Sequence, residues 1–348
     1  MKVLITGNLG YVGPGLVYEL RQFHPDAQLL GFDTGFYAKY VTSNSIIPES
    51  YLNVQHYGDI REFPEHLLNG VDSVVNLAAI SNDPIGNKFE EATLQINYKA
   101  AVELAKKAKK AGVKNYIYAS SCSVYGTASD EPRTENDEVN PLTAYAKSKI
   151  YTEKELAGIA DGQFKISCFR FATACGMSDR LRLDLVLNDF VAGAVTSGEI
   201  TILSDGTPWR PLINVRDMAR AIRWGIERDR QNGGDFLVVN TGSDEWNYSV
   251  KELALKIKDM LPGTGVSINT NAAPDKRSYK VDFSLYKKLA PDHQPLFDLK
   301  SSINGLINGL HEINFNDPDF RKSRLMRLNV INHLVDQGKL DNSLHLVK

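Results

Sequence analysis

Hydrophobic positions in the first half of the chain alternate between two rhythms. Short apolar runs occur at 3–5 and 29–32, and further strand-like stretches at 54–57, 71–79, 114–119 and 164–169. That is the pattern of strands buried on both faces. Between them, apolar residues recur at helical spacing, as in Leu16, Val17, Leu20 and Phe23, across 89–111, and in a stretch opened by Pro141 that runs to about Ala160. Strands alternating with helices predict right-handed βαβ units and a parallel sheet. Beyond Arg170 the pattern loosens. It predicts a helix at 184–194, a strand at 200–203 before an Asp205-Gly206 turn, and an amphipathic helix at 216–228. A strand at 235–240 returns to the main sheet, and Ser249 with Glu252 forms a capping box for a helix at 249–260. A polar-faced helix is expected at 321–338. The organisation predicted is a first domain at 1–170 with the returning strand, a partly interleaved region at 171–313, and a helical extension at 314–348.

Composition narrows the function classes. The 348 residues are 43% apolar and 24% charged, with a formal net charge of −2. This size fits one large domain and a smaller mixed α/β region. No Lys/Arg block stands out, so no nucleic-acid footprint is visible. No apolar run reaches membrane-spanning length, and the chain opens on a strand rather than a signal peptide, so neither a membrane nor export is expected. Cys122, Cys168 and Cys175 form no C-x-x-C pair. They suit a reducing cytoplasm and give no metal site.

The first candidate chemistry is the turn Gly7-x-x-Gly10-x-x-Gly13 between the first strand and helix. Gly7 allows a sharp turn, Gly10 lets backbone approach a pyrophosphate, and Gly13 lets helix and strand pack closely. The helix N-terminus adds free N–H groups for phosphate. A glycine set alone is equally a plain turn. Here a strand precedes it, and the second apolar run ends in Asp33, which can accept both ribose hydroxyls of NAD and would repel a 2′-phosphate. The fold class is therefore α/β, a Rossmann-type doubly wound, mainly parallel sheet. Asp59 and Ile60 either flank an adenine or, for Asp59, cap a short helix at 61–68.

The second is the pair Tyr145 and Lys149, four apart and so on one helical face. A phenol near pKa 10 is a poor base at neutral pH. A neighbouring ammonium and the positive nicotinamide ring would lower that value, so that Tyr145 takes a proton from a sugar hydroxyl as NAD takes the hydride. Ser121, at a strand end, would donate to the same oxygen.

With Asp59-Ile60, Leu77-Ala-Ala79, Asn97, Val124-Tyr-Gly126, the segment 170–176, Arg210 and Val215-x-Asp217, these motifs resemble an extended short-chain dehydrogenase/reductase. The resemblance is to the NAD-dependent epimerase/dehydratase family acting on nucleotide sugars, over about 300 residues. It implies that Gly7, Leu9, Gly10, Tyr11, Val12 and Gly13 line the diphosphate of NAD. It puts Asp33 on the ribose, Asp59 and Ile60 at the adenine, Leu77, Ala78 and Ala79 along the cofactor, and Lys149 on the nicotinamide ribose. Asn97 either supports the sheet and an active-site water or simply packs. A nucleoside-diphosphate sugar would meet Ser123, Thr173, Asn188, Arg210 and Arg277, with Arg180 and Arg182 as further candidates and Trp209 either shaping that pocket or filling core. Thr173 and Cys175 depart from the asparagine and tyrosine frequent in relatives. The Asp-Glu pair that dehydratases carry after the hydroxyl residue is Cys122-Ser123 here, although the acidic loop at 130–138 could lend a carboxylate. The expected activity is a C4 epimerase. The alternatives are a 4-dehydrogenase or 4-keto-sugar reductase with exchangeable cofactor, and a non-catalytic NAD-binding scaffold. The resemblance also implies a homodimer pairing the helices at 89–111 and 145–160.

Overall fold

The structure is a computed structural model that describes residues 1–43, 46–127, 131–272 and 277–347. Its strands are β1 (Lys2–Thr6), β2 (Gln28–Asp33), β3 (Val54–Tyr57), β4 (Ser73–Asn76), β5 (Asn115–Ser121), β6 (Lys165–Phe171), β7 (Thr173–Cys175), β8 (Glu199–Ile202), β9 (Trp209–Asn214), β10 (Phe236–Thr241), β11 (Asn247–Ser249) and β12 (Gly265–Ile268). Seven of them form one sheet in the order β10-β6-β5-β4-β1-β2-β3, parallel throughout. The alternating pattern read from sequence is thus realised, including the returning strand, which pairs with β6 as β10. After β3 the chain crosses back to the other side of β1 as β4. That reversal opens a crevice at the carboxyl ends of the strands, where ligands bind in such sheets.

The helices are α1 (Gly13–Phe23), α2 (Asp83–Lys88), α3 (Glu90–Leu94), α4 (Ala101–Lys110), α5 (Ala144–Ala157), α6 (Val186–Ser197), α7 (Val215–Glu227), α8 (Val250–Met260), α9 (Ser284–Leu289), α10 (Leu299–Glu312) and α11 (Arg327–Asp336). On one face of the main sheet, Leu16 and Leu20 of α1 share a core with Ile222 and Trp224 of α7. A second core joins Leu104 of α4 and Leu156 of α5 to Ile331, Leu340 and Leu344, so the last residues of the chain pack back onto the first sheet. A third joins Leu187 and Val191 of α6 to Leu253 and Ile257 of α8 and Ile303 and Leu306 of α10. It lies against two small sheets, β11-β9-β7 and β12-β8. No helix of the described residues is long and apolar enough to cross a membrane, and the three cysteines are free and buried.

Several expected helices differ: the short one at 61–68 is two 3-10 turns, Ile60–Glu62 and Glu65–Leu68, and the one at 321–338 is reduced to α11. The stretch 89–111 is interrupted by a wide turn, Gln95–Ala100, between α3 and α4. Asn97 sits in that turn, and such local widening of a helix re-aims a side chain. The helix opened by Pro141 instead starts at Ala144, because the Thr143 hydroxyl accepts the Ala146 N–H and makes the cap there. Asp130 of the acidic loop lies outside the described residues.

Two glycines fix how the first turn meets the sheet. Gly7 has φ +74°, a left-handed conformation that favours glycine, and a Cβ on it would stand 2.5 Å from the Ala78 nitrogen. A Cβ on Gly13 would stand 1.9 Å from the Asn8 carbonyl oxygen. Backbone rather than a flexible side chain blocks both positions. Gly13→Ala is expected to lower unfolding free energy by roughly 1–3 kcal/mol, measured by urea denaturation. An unchanged midpoint would show that the turn is not close-packed.

Candidate active site

The crevice is a cleft of about 650 Å³. One end is walled by the glycine turn, with Gly7, Gly10, Tyr11 and Val12, and by Asp33, Asp59 and Ile60. Its middle passes Leu77, Ala78 and Ala79 and reaches Ser121, Tyr145 and Lys149. The far end is lined by Ser123, Thr173, Arg210 and Arg277. The structure thus gathers seventeen predicted residues on one cavity, and the chain reaches it from the ends of β1, β2, β4 and β5 and from α5.

The first end suits a dinucleotide. Asp33 at the close of β2 accepts the N–H of Leu9 at 3.1 Å and of Gly35 at 2.8 Å, which ties the strand end to the glycine turn. Burial raises its carboxyl, opposed by those two N–H groups and by the Arg180 and Arg327 guanidiniums. Asp59 does two things in the structure. Its side chain caps the next turn through the Arg61 N–H at 2.9 Å, and it also lines the cleft. Gly7 and Gly10, which put bare backbone on the cleft wall, together with the Asp33 carboxylate at the end of the next strand, fit NAD.

Four predicted residues do not line the cleft. Leu9 acts through its backbone N–H on Asp33. Gly13 packs against Asn8. Asn97, 1% exposed, accepts the Ile80 N–H at 2.7 Å and donates to the Ile80 carbonyl at 2.9 Å and to Ser148 at 3.2 Å. It is no cofactor contact. It braces the chain just past Ala79 against α5. Asn188 is no phosphate donor either: fully buried, it accepts the Gly176 N–H at 2.9 Å and donates to the Arg182 carbonyl at 3.0 Å and the Tyr11 hydroxyl at 3.2 Å.

At the centre, Tyr145 and Lys149 project from one face of α5, and Ser121 ends β5. Ser121 lies beside the Tyr145 phenol on the cleft wall and has a lowering influence on it. Lys149, 3% exposed, donates to the Ala119 carbonyl at 2.7 Å, and its Nζ lies 5.3 Å from the Tyr145 ring centre. The expectation that this ammonium lowers the phenol is not met in the protein alone. Burial pushes Tyr145 up to about 12, against the lowering effect of Ser121. Burial also pushes Lys149 down to about 7, against the raising influence of Glu153. For each group desolvation outweighs the influence of its neighbours. Cys122 is buried, its thiol raised by desolvation, and its Sγ donates to the Arg170 carbonyl at 3.0 Å. That leaves it no base. The Ser123 Oγ is buried with no hydrogen-bond partner among the described residues.

The far end is richer in ions than the sequence suggested. Arg277 pairs with Asp83 at 2.6 Å, and Asp83 also accepts the Thr143 hydroxyl at 2.7 Å. Arg210 donates to the Arg277 and Trp209 carbonyls. Arg180 and Arg182 are no surface arginines, at 2% and 5% exposed. Arg182 pairs with Asp184 at 2.7 Å and reaches Ser81 at 2.9 Å. Arg321 pairs with Asp189. Trp209 is not in the cleft wall; its ring lies under the Lys280 ammonium at 4.2 Å. Asp83, Asp184 and Asp189 escaped the sequence reading. The i, i+2 alternation Arg180-x-Arg182-x-Asp184 was the signal available for one of them.

A sequence profile described as Epimerase, NAD dependent epimerase/dehydratase family, matches residues 3–240. The UDP-glucose 4-epimerase of Neisseria gonorrhoeae is 29% identical over 290 residues, covering 73% of this chain and 80% of that protein. UDP-glucuronic acid decarboxylase 6 of Arabidopsis thaliana is 24% identical over 298 residues, 83% of each chain. Among solved structures, MoeE5 in complex with UDP-glucose and NAD superposes with a TM-score of 0.74 at 25% identity, covering 90% of this chain and 99% of that one.

Lys149 also makes a stability prediction. Its pKa is lowered on folding from 10.5 to about 7. Between those values the unfolded chain binds more protons, so this group makes stability rise with pH across that window, with its full penalty below about 7. The stability of wild type relative to Lys149→Met, measured by denaturant unfolding, is expected to increase from pH 7 to pH 10. A flat difference would contradict the burial.

Proposed function

We propose, from the premise that the chain belongs to the NAD-dependent epimerase/dehydratase family and is an NAD-dependent enzyme, that it inverts C4 of a nucleoside-diphosphate hexose through a transient ketone. The observation that carries this reading is that Ser121, Tyr145 and Lys149 meet on the wall of the cleft, with Cys122-Ser123 following Ser121. NAD, when bound, supplies a hydride acceptor and a cationic ring. In this reading Tyr145 takes the proton of the sugar hydroxyl, and Ser121 holds the same oxygen by a hydrogen bond. Lys149, fixed on the Ala119 carbonyl, sets the charge beneath the phenol. Tyr145 then returns the proton as the carbonyl becomes a hydroxyl again.

Inversion needs the ketone to offer its opposite face. Beyond Ser121 the wall consists of Ser123, Ala172, Thr173 and Ala174. These small side chains leave room for a hexose ring to turn. The unpartnered Ser123 hydroxyl is a donor for a sugar oxygen. Water loss is disfavoured, because it needs an acid and a base beside the hydroxyl residue. Cys122 is a buried, protonated thiol, and Asp83 is already paired with Arg277. Arg210 and Arg277 are the cations for a diphosphate, which bidentate guanidinium contacts suit. Relatives named UDP-glucose 4-epimerases and a neighbour complexed with UDP-glucose favour uridine as the base.

We also place a homodimer interface on α5 and the wide turn before α4. Tyr98 and Tyr151 stack edge to face there at 5.6 Å, and Tyr151 is 42% exposed. Sedimentation is expected to give twice the 38.7 kDa chain mass. A monomer at micromolar concentration would remove this interface.

UDP-glucose incubated with the protein is expected to give UDP-galactose by sugar NMR at unchanged mass. Net loss of water or of two hydrogens from the sugar would overturn the reading. Tyr145→Phe is expected to lower kcat by roughly 10²–10⁴-fold while NAD affinity, by calorimetry, stays within a few-fold. A variant keeping most of its turnover would exclude Tyr145 as the base.

A further inference from the structure

Three guanidiniums of the cleft are each held by a carboxylate: Arg182 by Asp184, Arg321 by Asp189 and Arg277 by Asp83. Arg327 differs. It opens α11, is 2% exposed and lines the cleft, yet its Nη1 has no hydrogen-bond partner among the described residues. The rest of the side chain is fixed. Nη2 donates to the Arg180 carbonyl at 3.0 Å, and the guanidinium lies 4.0 Å from the centre of the Tyr37 ring. A buried cationic donor without an acceptor is costly, and a bound anion removes that cost.

The surroundings say which anion. Tyr37, the ring beneath Arg327, follows Asp33 by four residues, and both line the cleft at the ribose position. Arg180, whose carbonyl Arg327 holds, donates its N–H to the Ser178 hydroxyl at 3.2 Å, and Ser178 donates to the carbonyl of Tyr11 in the glycine turn at 2.7 Å. Arg327 therefore belongs to the ribose and diphosphate end of the cleft, where Asp33 is suited to the hydroxyls. The same terminal segment reaches this end a second time. Leu344 lines the cleft in a left-handed conformation, φ +58°, uncommon for a leucine. Arg61 pins it there by donating to the Ser343 carbonyl at 2.6 Å and the Leu344 carbonyl at 3.0 Å, while pairing with Asp59 on the adenine side.

We propose that Arg327 donates through Nη1 to the diphosphate of the bound adenine dinucleotide, making residues 327–344 a clamp that closes the cofactor into the cleft. The contact comes from outside the nucleotide-binding motif. It gives the enzyme a cofactor that stays through many turnovers.

The test is calorimetry on the full-length protein stripped of cofactor. Arg327→Gln is expected to weaken NAD and ADP by at least tenfold and to leave adenosine within twofold, with Arg327→Lys in between. NAD affinity unchanged within twofold would overturn the proposal. Equal weakening of ADP and adenosine would reduce Arg327 to packing, and a loss confined to NADP would move the contact to a 2′-phosphate; either overturns the diphosphate assignment. Hydrogen exchange on wild type covers the case of a variant that does not fold. NAD is expected to slow amide exchange at 327–346, and unchanged exchange there would also overturn the clamp.

Discussion

A buried ion pair beneath the reaction centre holds the site together. Glu153 and Arg170 are 5% and 6% exposed and join α5 to β6 through a bidentate contact, with 2.7 Å to Glu153 Oε2. Ser120, beside the reacting Ser121, donates to the same carboxylate. Arg170 reaches the Tyr125 hydroxyl at 3.0 Å, which donates to Asn240 of β10 at 2.7 Å. Such a pair costs much to desolvate and tolerates the loss of neither partner. Its return is positional. Glu153 stands one helical turn past Lys149, and Lys149 one turn past Tyr145, so locking Glu153 to β5 and β6 sets the height and rotation of the whole face.

Local charge then follows from burial. Tyr145 is displaced upward and Lys149 downward, each away from its ionised form. The protein alone therefore holds a neutral phenol beside an amine whose protonation changes near neutral pH. A cation entering the cleft is what would tip the phenol toward giving up its proton, which couples cofactor occupancy to base strength. The aspartate–arginine pairs at the far end work the opposite way. In the proposed function they would keep guanidiniums aligned and desolvated before a diphosphate arrives, each exchanging a carboxylate for a phosphate only where the substrate reaches it.

Much of this was legible in the chain. The parallel sheet, its returning strand and the glycine turn followed from periodicity and glycine spacing, because strands buried on both faces leave an unbroken apolar run. Tyr145, Lys149 and Ser121 were legible because a fixed spacing on a helix and a strand end determine where side chains go. The strands β7, β9, β11 and β12 were not read: β7 and β11 are only three residues long, and β9 carries Arg210 and Pro211 in its apolar stretch. Helix α10 also escaped, its cap being Asp298 with Ser301 rather than a serine with a glutamate. Asn97 and Asn188 looked like ligand contacts because motif position does not reveal which way an amide faces; both satisfy buried backbone instead. Asp83 and Arg327 were invisible for a different reason. Asp83 meets Arg277 across 194 positions and Arg327 meets Arg180 across 147, so only the folded chain brings them to the cleft.

The central claim is that one carbon of the sugar loses its hydride and regains it within a single closed site. UDP-glucose deuterated at C4 tests this directly. The account predicts UDP-galactose that keeps the deuterium at C4, with none in the medium or in free NADH. Deuterium lost from C4, or found in released NADH, would contradict it.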